Sequence, residues 1–308
     1  VGKCDIVAGD IPNNEIWYTS SNGSVVTPND SSVFGATILR NEYIDGKGYI
    51  EFDAPVTSIG NAAFYGCSSL TSISIPNGVT EIVSLAFNAC SSLTSITIPD
   101  SVTSIGDQAF KDCTSLTSVT IPDGVTTIGY GAFWDCDSLT SVTIGNGVTS
   151  IGGYAFEGCT SLTSVTIPDS VTSIGSNAFR YCDSLTSVTI PDSVTSIGDN
   201  AFSGCTGELI VNCNIPSASS SEYGVFYDSD FTKVTIGDSV TSIGDYAFNA
   251  CTSLTSVYCK PTIPPTGGFA MFSGNASGRT IYVPSDSVEA YKSAKYWKNY
   301  AASIVGYD

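Results

Sequence analysis

The chain has 308 residues, 42% of them hydrophobic, with 29 acidic side chains against 11 basic ones and no histidine. A net charge of −18 repels phosphate backbones and anionic headgroups, which argues against nucleic-acid or membrane-surface binding. No apolar run reaches the roughly 18 residues that a membrane span needs, and the missing histidine removes the commonest general base.

Residues 1–46 follow no period. Strand-like runs at 15–19 and 36–39 alternate with the turn signals Asn22-Gly23 and Asp45-Gly46, which predicts a small β-rich cap. The chain opens at Val1 without a basic n-region and an apolar h-region, and the expectation is a mature chain whose leader has been removed.

From residue 47 a unit of 23 residues recurs, marked by Cys67, Cys90, Cys113, Cys136, Cys159, Cys182 and Cys205, and again by Cys251. A fixed period of this length predicts a solenoid, here nine full turns over 47–253 within a repeat region of 47–259. In the unit that opens at Leu162, the residues Leu162, Val165 and Ile167 mark a strand that Pro168 ends. Asp169-Ser170 turns the chain into a shorter strand at 171–175, and 176–182 predicts one helical or 3-10 turn with Ala178 and Phe179 inward. About eight inward residues per unit contribute roughly 1.5–3 kcal/mol each. Ordering the backbone costs roughly 1–2 kcal/mol for every residue, so a unit stands only in a stack. The cysteines read as reduced, buried, space-filling side chains, and with no CxxC pair and no histidine a zinc site is disfavoured.

The unit at 208–230 is degenerate: at a constant count of 23, Glu208 replaces the leucine, Cys213 the isoleucine and Asp228 the cysteine. Residues 260–308 read as a C-terminal cap with one α-helix. A turn rich in proline (Pro261, Pro264, Pro265) leads to a strand at 280–283 and an amphipathic helix at about 287–302. Asp286 and Glu289 suggest a capping box, with Val288, Tyr291, Ala294 and Trp297 on the inner stripe. Lys292, Lys295 and Lys298 read as a solvated face.

These residues resemble the BspA-like, or Treponema pallidum-type, branch of the leucine-rich repeats. The resemblance rests on runs such as Leu93-Thr-Ser-Ile-Thr-Ile-Pro99, Val102-Thr-Ser-Ile-Gly106 and Ala109-Phe110-Lys-Asp-Cys113, and covers about two thirds of the chain. It implies a leucine-rich repeat solenoid of a secreted or cell-surface bacterial protein whose role is adhesion, to host proteins or to other microbes.

A monotonous repeat can only recognise a specific partner where its units differ. The outward strand positions, Ser118, Ser141, Ser164 and Ser187 with Thr120, Thr143, Thr166 and Thr189, scarcely vary. The column after the phenylalanine does: Tyr65, Asn88, Lys111, Trp134, Glu157, Arg180, Ser203, Phe226, Asn249. Tyr130, Trp134, Tyr154, Arg180 and Tyr181 fall in three consecutive turns and predict a ligand-binding patch of aromatic rings and arginine, the residue types enriched at hot spots. The same residues also suit plain edge positions that cover the turn below. The secondary candidate is the irregular stretch 217–227 with Tyr223, Phe226 and Tyr227, where repeat decay is the competing reading. Asp100, Asp123, Asp169, Asp192 and Asp238 share one position; such oxygens could hold calcium, but Asp-Ser and Asp-Gly pairs already serve as turn formers. No metal site, catalytic residue or cofactor is therefore assigned.

The sequence thus points to a monomeric, non-enzymatic binding protein, extracellular or at the cell surface, whose partner is a host extracellular protein or a glycan. A structural spacer presenting other modules is the first alternative. An enzyme such as a glycoside hydrolase is the weaker one, since no irregular cleft for a carboxylate pair is evident.

Overall fold

The computed structural model describes residues 11–219 and 223–308. Residues 1–10 of the expected cap and 220–222 of the irregular stretch lie outside the described residues. The chain forms two compact units, Val1–Thr160 and Ser161–Asp308, each a β-solenoid.

In the first unit, parallel strands Leu70–Ser74, Ser95–Thr97, Ser118–Ile121 and Ser141–Ile144 form one ladder. The two-residue strands Ser58–Ile59, Glu81–Ile82, Ser104–Ile105, Thr127–Ile128 and Ser150–Ile151 form a second. β-Branched residues alternate inward along both, and threonines bind turn to turn: Thr94 and Thr117 hydroxyls donate to the Thr71 and Thr94 carbonyls at 3.1 and 3.2 Å.

The segment that carries Ala and Phe is not a helix. Its residues make turn bonds of the 3-10 kind (Lys111 N–H to the Gln108 carbonyl, 3.2 Å). Positive φ at Gln108 (54°) and Asp112 (59°) interrupts them. The alternate N–H groups of Gln108, Phe110 and Asp112 then reach the next turn's Tyr130, Ala132 and Trp134 carbonyls at 2.7, 2.7 and 2.8 Å. This third ladder satisfies backbone groups that the turn would otherwise bury unpaired. Behind it, the rings of Phe64, Phe87, Phe110, Phe133 and Phe156 stack at 5.1–5.4 Å.

The cysteines do more than fill space. The thiols of Cys90, Cys113, Cys136 and Cys159 donate to the Phe64, Phe87, Phe110 and Phe133 carbonyls of the preceding turn at 3.1–3.3 Å. All four are buried and unbridged.

The Ile-Gly column sets how closely turns approach. A Cβ built on Gly129 would lie 2.5 Å from the Gly106 carbonyl carbon and 2.7 Å from the Asp107 nitrogen, both backbone atoms that cannot yield cheaply. Gly129→Ala is therefore expected to cost about 1–3 kcal/mol from overpacking, despite the smaller entropy of its unfolded chain. Urea unfolding beside Thr120→Ala, a solvent-facing control, checks this; equal midpoints would contradict the close-approach account.

The N-terminal cap departs from simple stacking. Strands Glu15–Ser20, Ile38–Ile44 and Lys47–Phe52 pair antiparallel, and Glu15–Ser20 inserts between Lys47–Phe52 and Leu70–Ser74. The first repeat strand is thus one place removed from the ladder, while Ser58–Ile59 and Phe64 of the same repeat stack regularly. Ile16, Tyr18, Phe34, Ile50 and Phe52 bury the inner face of this cap.

In the second unit, strands Ser164–Thr166, Ser187–Ile190, Thr206–Val211, Asp230–Ile236, Ser256–Cys259, Thr280–Pro284 and Ile304–Tyr307 run parallel in chain order. The ladder therefore continues past the nine expected units. Phe272 stacks on Phe248 at 5.4 Å, completing a tenth unit from the run Ala270-Met271-Phe272, which has no cysteine. The expected long helix at 287–302 is shorter: a 3-10 turn Ser285–Ser287, an α-helix Val288–Ser293 and a 3-10 segment Trp297–Ser303. No side-chain cap bond forms at the proposed capping box. Residues six apart lie about 240° apart around a helix, so an unbroken helix could not turn both Tyr291 and Trp297 inward. The break at Ala294 (ψ 147°) and Tyr296 (φ 65°) lets Tyr291 and Trp297 donate to the Pro261 and Pro265 carbonyls, each at 2.8 Å.

Candidate functional site

The turn edge of the first unit brings three of the five predicted residues together. Tyr154 lies against both neighbours, its ring centroid 5.1 Å from Tyr130 and 5.2 Å from Trp134. The backbone fixes them: the carbonyls of 130 and 134 accept from the preceding turn, and the Tyr130 N–H donates to Asp107 Oδ1 at 2.8 Å. Gly131 has φ +58°, and a Cβ there would press on the Trp134 ring at 3.3 Å. Tyr130 is 43% exposed, while Trp134 and Tyr154 are half-buried.

Lys111 belongs to this site and was not among the predicted residues. Its ammonium lies 3.7 Å from the Trp134 ring centroid, a cation–π contact. The signal was present in the sequence: Lys111 occupies Trp134's column one unit earlier. Desolvation and the neighbouring Tyr154 and Glu157 push the Tyr130 hydroxyl's pKa up. Desolvation and the Asp112 charge raise Asp135, against the pull of Lys111. The result is an aromatic ledge with one cation and an acidic border.

Arg180 and Tyr181 lie in the second unit and pack on each other. The guanidinium carbon is 4.4 Å from the Tyr181 ring centroid, and Nη2 donates to the hydroxyl at 2.6 Å. Tyr181 is 46% exposed.

The degenerate repeat corrects four expectations at once. Its strand arrives early: Val211 pairs with Ile190, so Val211 and not Cys213 fills the isoleucine position. Glu208 pairs with Ser187 on the outward side and does not replace the leucine. The following loop restores the register one residue late, so Phe226 joins the core column between Phe202 (5.7 Å) and Phe248 (4.8 Å). Ser229, not Asp228, takes the cysteine position, its hydroxyl 3.3 Å from the Cys251 thiol. Phe226 is fully buried and is withdrawn as a ligand contact, whereas Tyr223 is exposed and packs edge-on against Tyr227 at 4.9 Å.

The early strand also opens a groove of about 680 Å³ that the sequence reading missed, lined by Thr166, Asp169, Thr189, Asp192, Asn212 and Asp238 among others. Cys213 and Asn212 stand where regular units carry aspartate and proline, and the aspartate row is interrupted there. That substitution was the available signal. Among the described residues, no group of three or more His, Cys, Asp or Glu is placed to hold a metal. Nor, among them, is any helix long and apolar enough to cross a membrane.

A family model described as BspA type leucine rich repeat region (6 copies) matches residues 46–162, 80–209, 126–254 and 219–303. Comparison with curated proteins finds no match. Among solved structures, the chain is similar to a leucine rich cell surface protein of Faecalibacterium prausnitzii A2-165, with 29% identity over 82% of each chain and a TM-score of 0.49. It is also similar to a leucine rich repeat protein of T. pallidum, at 26% identity over 60% of this chain and 83% of that one, TM-score 0.44. A leucine-rich repeat protein from Bacteroides ovatus ATCC 8483 gives 23% identity over 97% of this chain and 100% of that one, TM-score 0.45.

Proposed function

The chain belongs to the BspA-type leucine-rich repeat family, and from that premise we propose that it is a non-enzymatic binding protein of the bacterial surface or its surroundings. It acts as a monomer and holds a host extracellular protein through Tyr130, Trp134 and Tyr154, with Lys111 beside them. One observation carries this reading. The turn edge, whose residues differ from unit to unit, gathers three contacting rings and a cation, while in the same unit the outward positions of Ser118–Ile121 and Ser141–Ile144 carry only serine and threonine. Tryptophan and tyrosine dominate binding hot spots because they cover large area at low entropic cost.

The test is binding of the purified chain to an array of matrix proteins and glycans, with Trp134→Ala beside it. A protein hit is expected, weakened about tenfold or more by the substitution while the circular dichroism melt is retained. A protein hit that Trp134→Ala leaves intact would move the site elsewhere. No binding to anything would favour the spacer, and a glycan hit lost in Trp134→Ala would keep the site but change the partner class.

A further inference from the structure

The outer face of the N-terminal cap carries side chains that capping does not need. Along Glu15–Ser20, Ile16 and Tyr18 point to the core; along Lys47–Phe52, Gly48, Ile50 and Phe52 do. The opposite face holds two rows set by the register. Glu42, Tyr49 and Trp17 lie side by side in one, and Arg40, Glu51 and Glu15 in the other. At the outward positions of the first unit's strands Ser118–Ile121 and Ser141–Ile144 the chain places only serine and threonine: Ser118, Thr120, Ser141 and Thr143.

These side chains are held in place. The Trp17 ring meets Tyr49 edge-on at 5.7 Å, and its indole N–H donates to Glu15 Oε2 at 2.6 Å. Arg40 bridges Glu51 at 2.8 Å and Glu42 at 3.6 Å. Between them lies a groove of about 230 Å³ lined by Glu15, Arg40, Glu42, Ile44, Tyr49 and Glu51.

We propose that this groove binds one neutral sugar ring of a glycan. Tyr49 and the exposed Ile44 offer an apolar wall to the C–H face of a pyranose. Around it stand three carboxylates, each oriented through one oxygen by Arg40 or Trp17, leaving acceptor capacity for the sugar's hydroxyl protons. The guanidinium supplies donors for the ring and hydroxyl oxygens. Charge selects the ligand class: three carboxylates against one guanidinium repel sialylated, sulfated or phosphorylated groups. A cationic ligand would have to displace Arg40 from Glu42 and Glu51, and Lys47 already stands 6.0 Å over the Trp17 ring. The volume suits a single ring-sized unit better than a protein surface. Trp17 is a positioning residue in this arrangement, since it holds Tyr49 and Glu15 without lining the groove. The inference stands apart from the turn-edge patch and does not rest on it.

Calorimetric titration of the full chain with cellotetraose, chitotetraose and lacto-N-tetraose tests it, with sialylated lacto-N-tetraose as the anionic arm and a trimethyl-lysine peptide as the cationic one. At least one neutral glycan is expected to bind more tightly than both charged probes. Tyr49→Ala should weaken it about tenfold or more, while Tyr49→Phe, which keeps the ring and the fold, stays within about threefold. Trp134→Ala should leave it unchanged, which separates this site from the turn-edge patch. Absence of any neutral binding, preference for either charged probe, or full affinity in Tyr49→Ala would overturn the proposal.

Discussion

Above about pH 9 the protein is expected to lose stability steeply and to unfold by about pH 11. The buried thiols of Cys90, Cys113, Cys136, Cys159, Cys205, Cys213, Cys251 and Cys259 all titrate above the ordinary value of 9.0, chiefly because burial penalises the thiolate. Cys213 is pushed up to about 11 and Cys251 to about 12, and the others move further in the same direction. An unfolded chain releases these protons near pH 9, whereas the folded chain keeps them. Between the two values the unfolded state therefore binds fewer protons, and stability falls as pH rises. Each thiol removes about 1.4 kcal/mol per pH unit once the unfolded form is ionised. Eight acting together overwhelm a total stability of roughly 5–15 kcal/mol within about two units. Circular dichroism between neutral pH and about pH 12 gives the slope. Replacing Cys113, Cys136 and Cys159 by alanine should lower stability at neutral pH yet flatten the alkaline slope. A wild-type chain still folded at about pH 11.5 would contradict the buried, unbridged ladder.

Phe133→Ala is expected to cost about 3–5 kcal/mol. The ring is fully buried and stacked on both sides, 5.1 Å from Phe110 and 5.3 Å from Phe156. Its neighbours are held by inter-turn bonds on either side, from the Phe110 N–H to the Ala132 carbonyl and from the Phe133 N–H to the Ala155 carbonyl, so they cannot collapse into the cavity. In a stack each repeat relies on its neighbours, and one void weakens two interfaces. Phe133→Leu, which refills most of the volume, should recover a large part of the loss in urea unfolding. Equal midpoints for alanine and wild type would show that the phenylalanine column does not carry the stack.

Most of the architecture was legible because it is periodic. Each inward position of the regular unit, such as Leu116, Val119, Phe110 and Cys113, is identified by recurrence alone, and each is buried. Recurrence fails where the chain changes step. A count of 23 cannot see that Val211 reaches its place early and Phe226 late, so it put Phe226 on the surface and Asp228 in the thiol column. Nor could it foresee Glu15–Ser20 between two repeat strands, because pairing across 50 residues leaves no local mark. The helix boundary failed for a different reason. Tyr291 and Trp297 share an apolar pattern with Val288 and Ala294, but their hydrogen bonds to Pro261 and Pro265 require a break that the pattern does not contain. At the candidate site, Tyr130, Trp134 and Tyr154 were legible as variation against a constant background. The positive φ of Tyr154, 60°, which helps set its ring between the other two, was not.

The turn edge is proposed to recognise the host partner, with the strands Ser118–Ile121 and Ser141–Ile144 as its scaffold. Hydrogen–deuterium exchange of the chain with and without a captured partner tests it most directly. Protection is predicted over 107–112, 130–135 and 154–158, with 118–121 and 141–144 unchanged. Protection confined to those two strands, with the turn edge still exchanging freely, would contradict it.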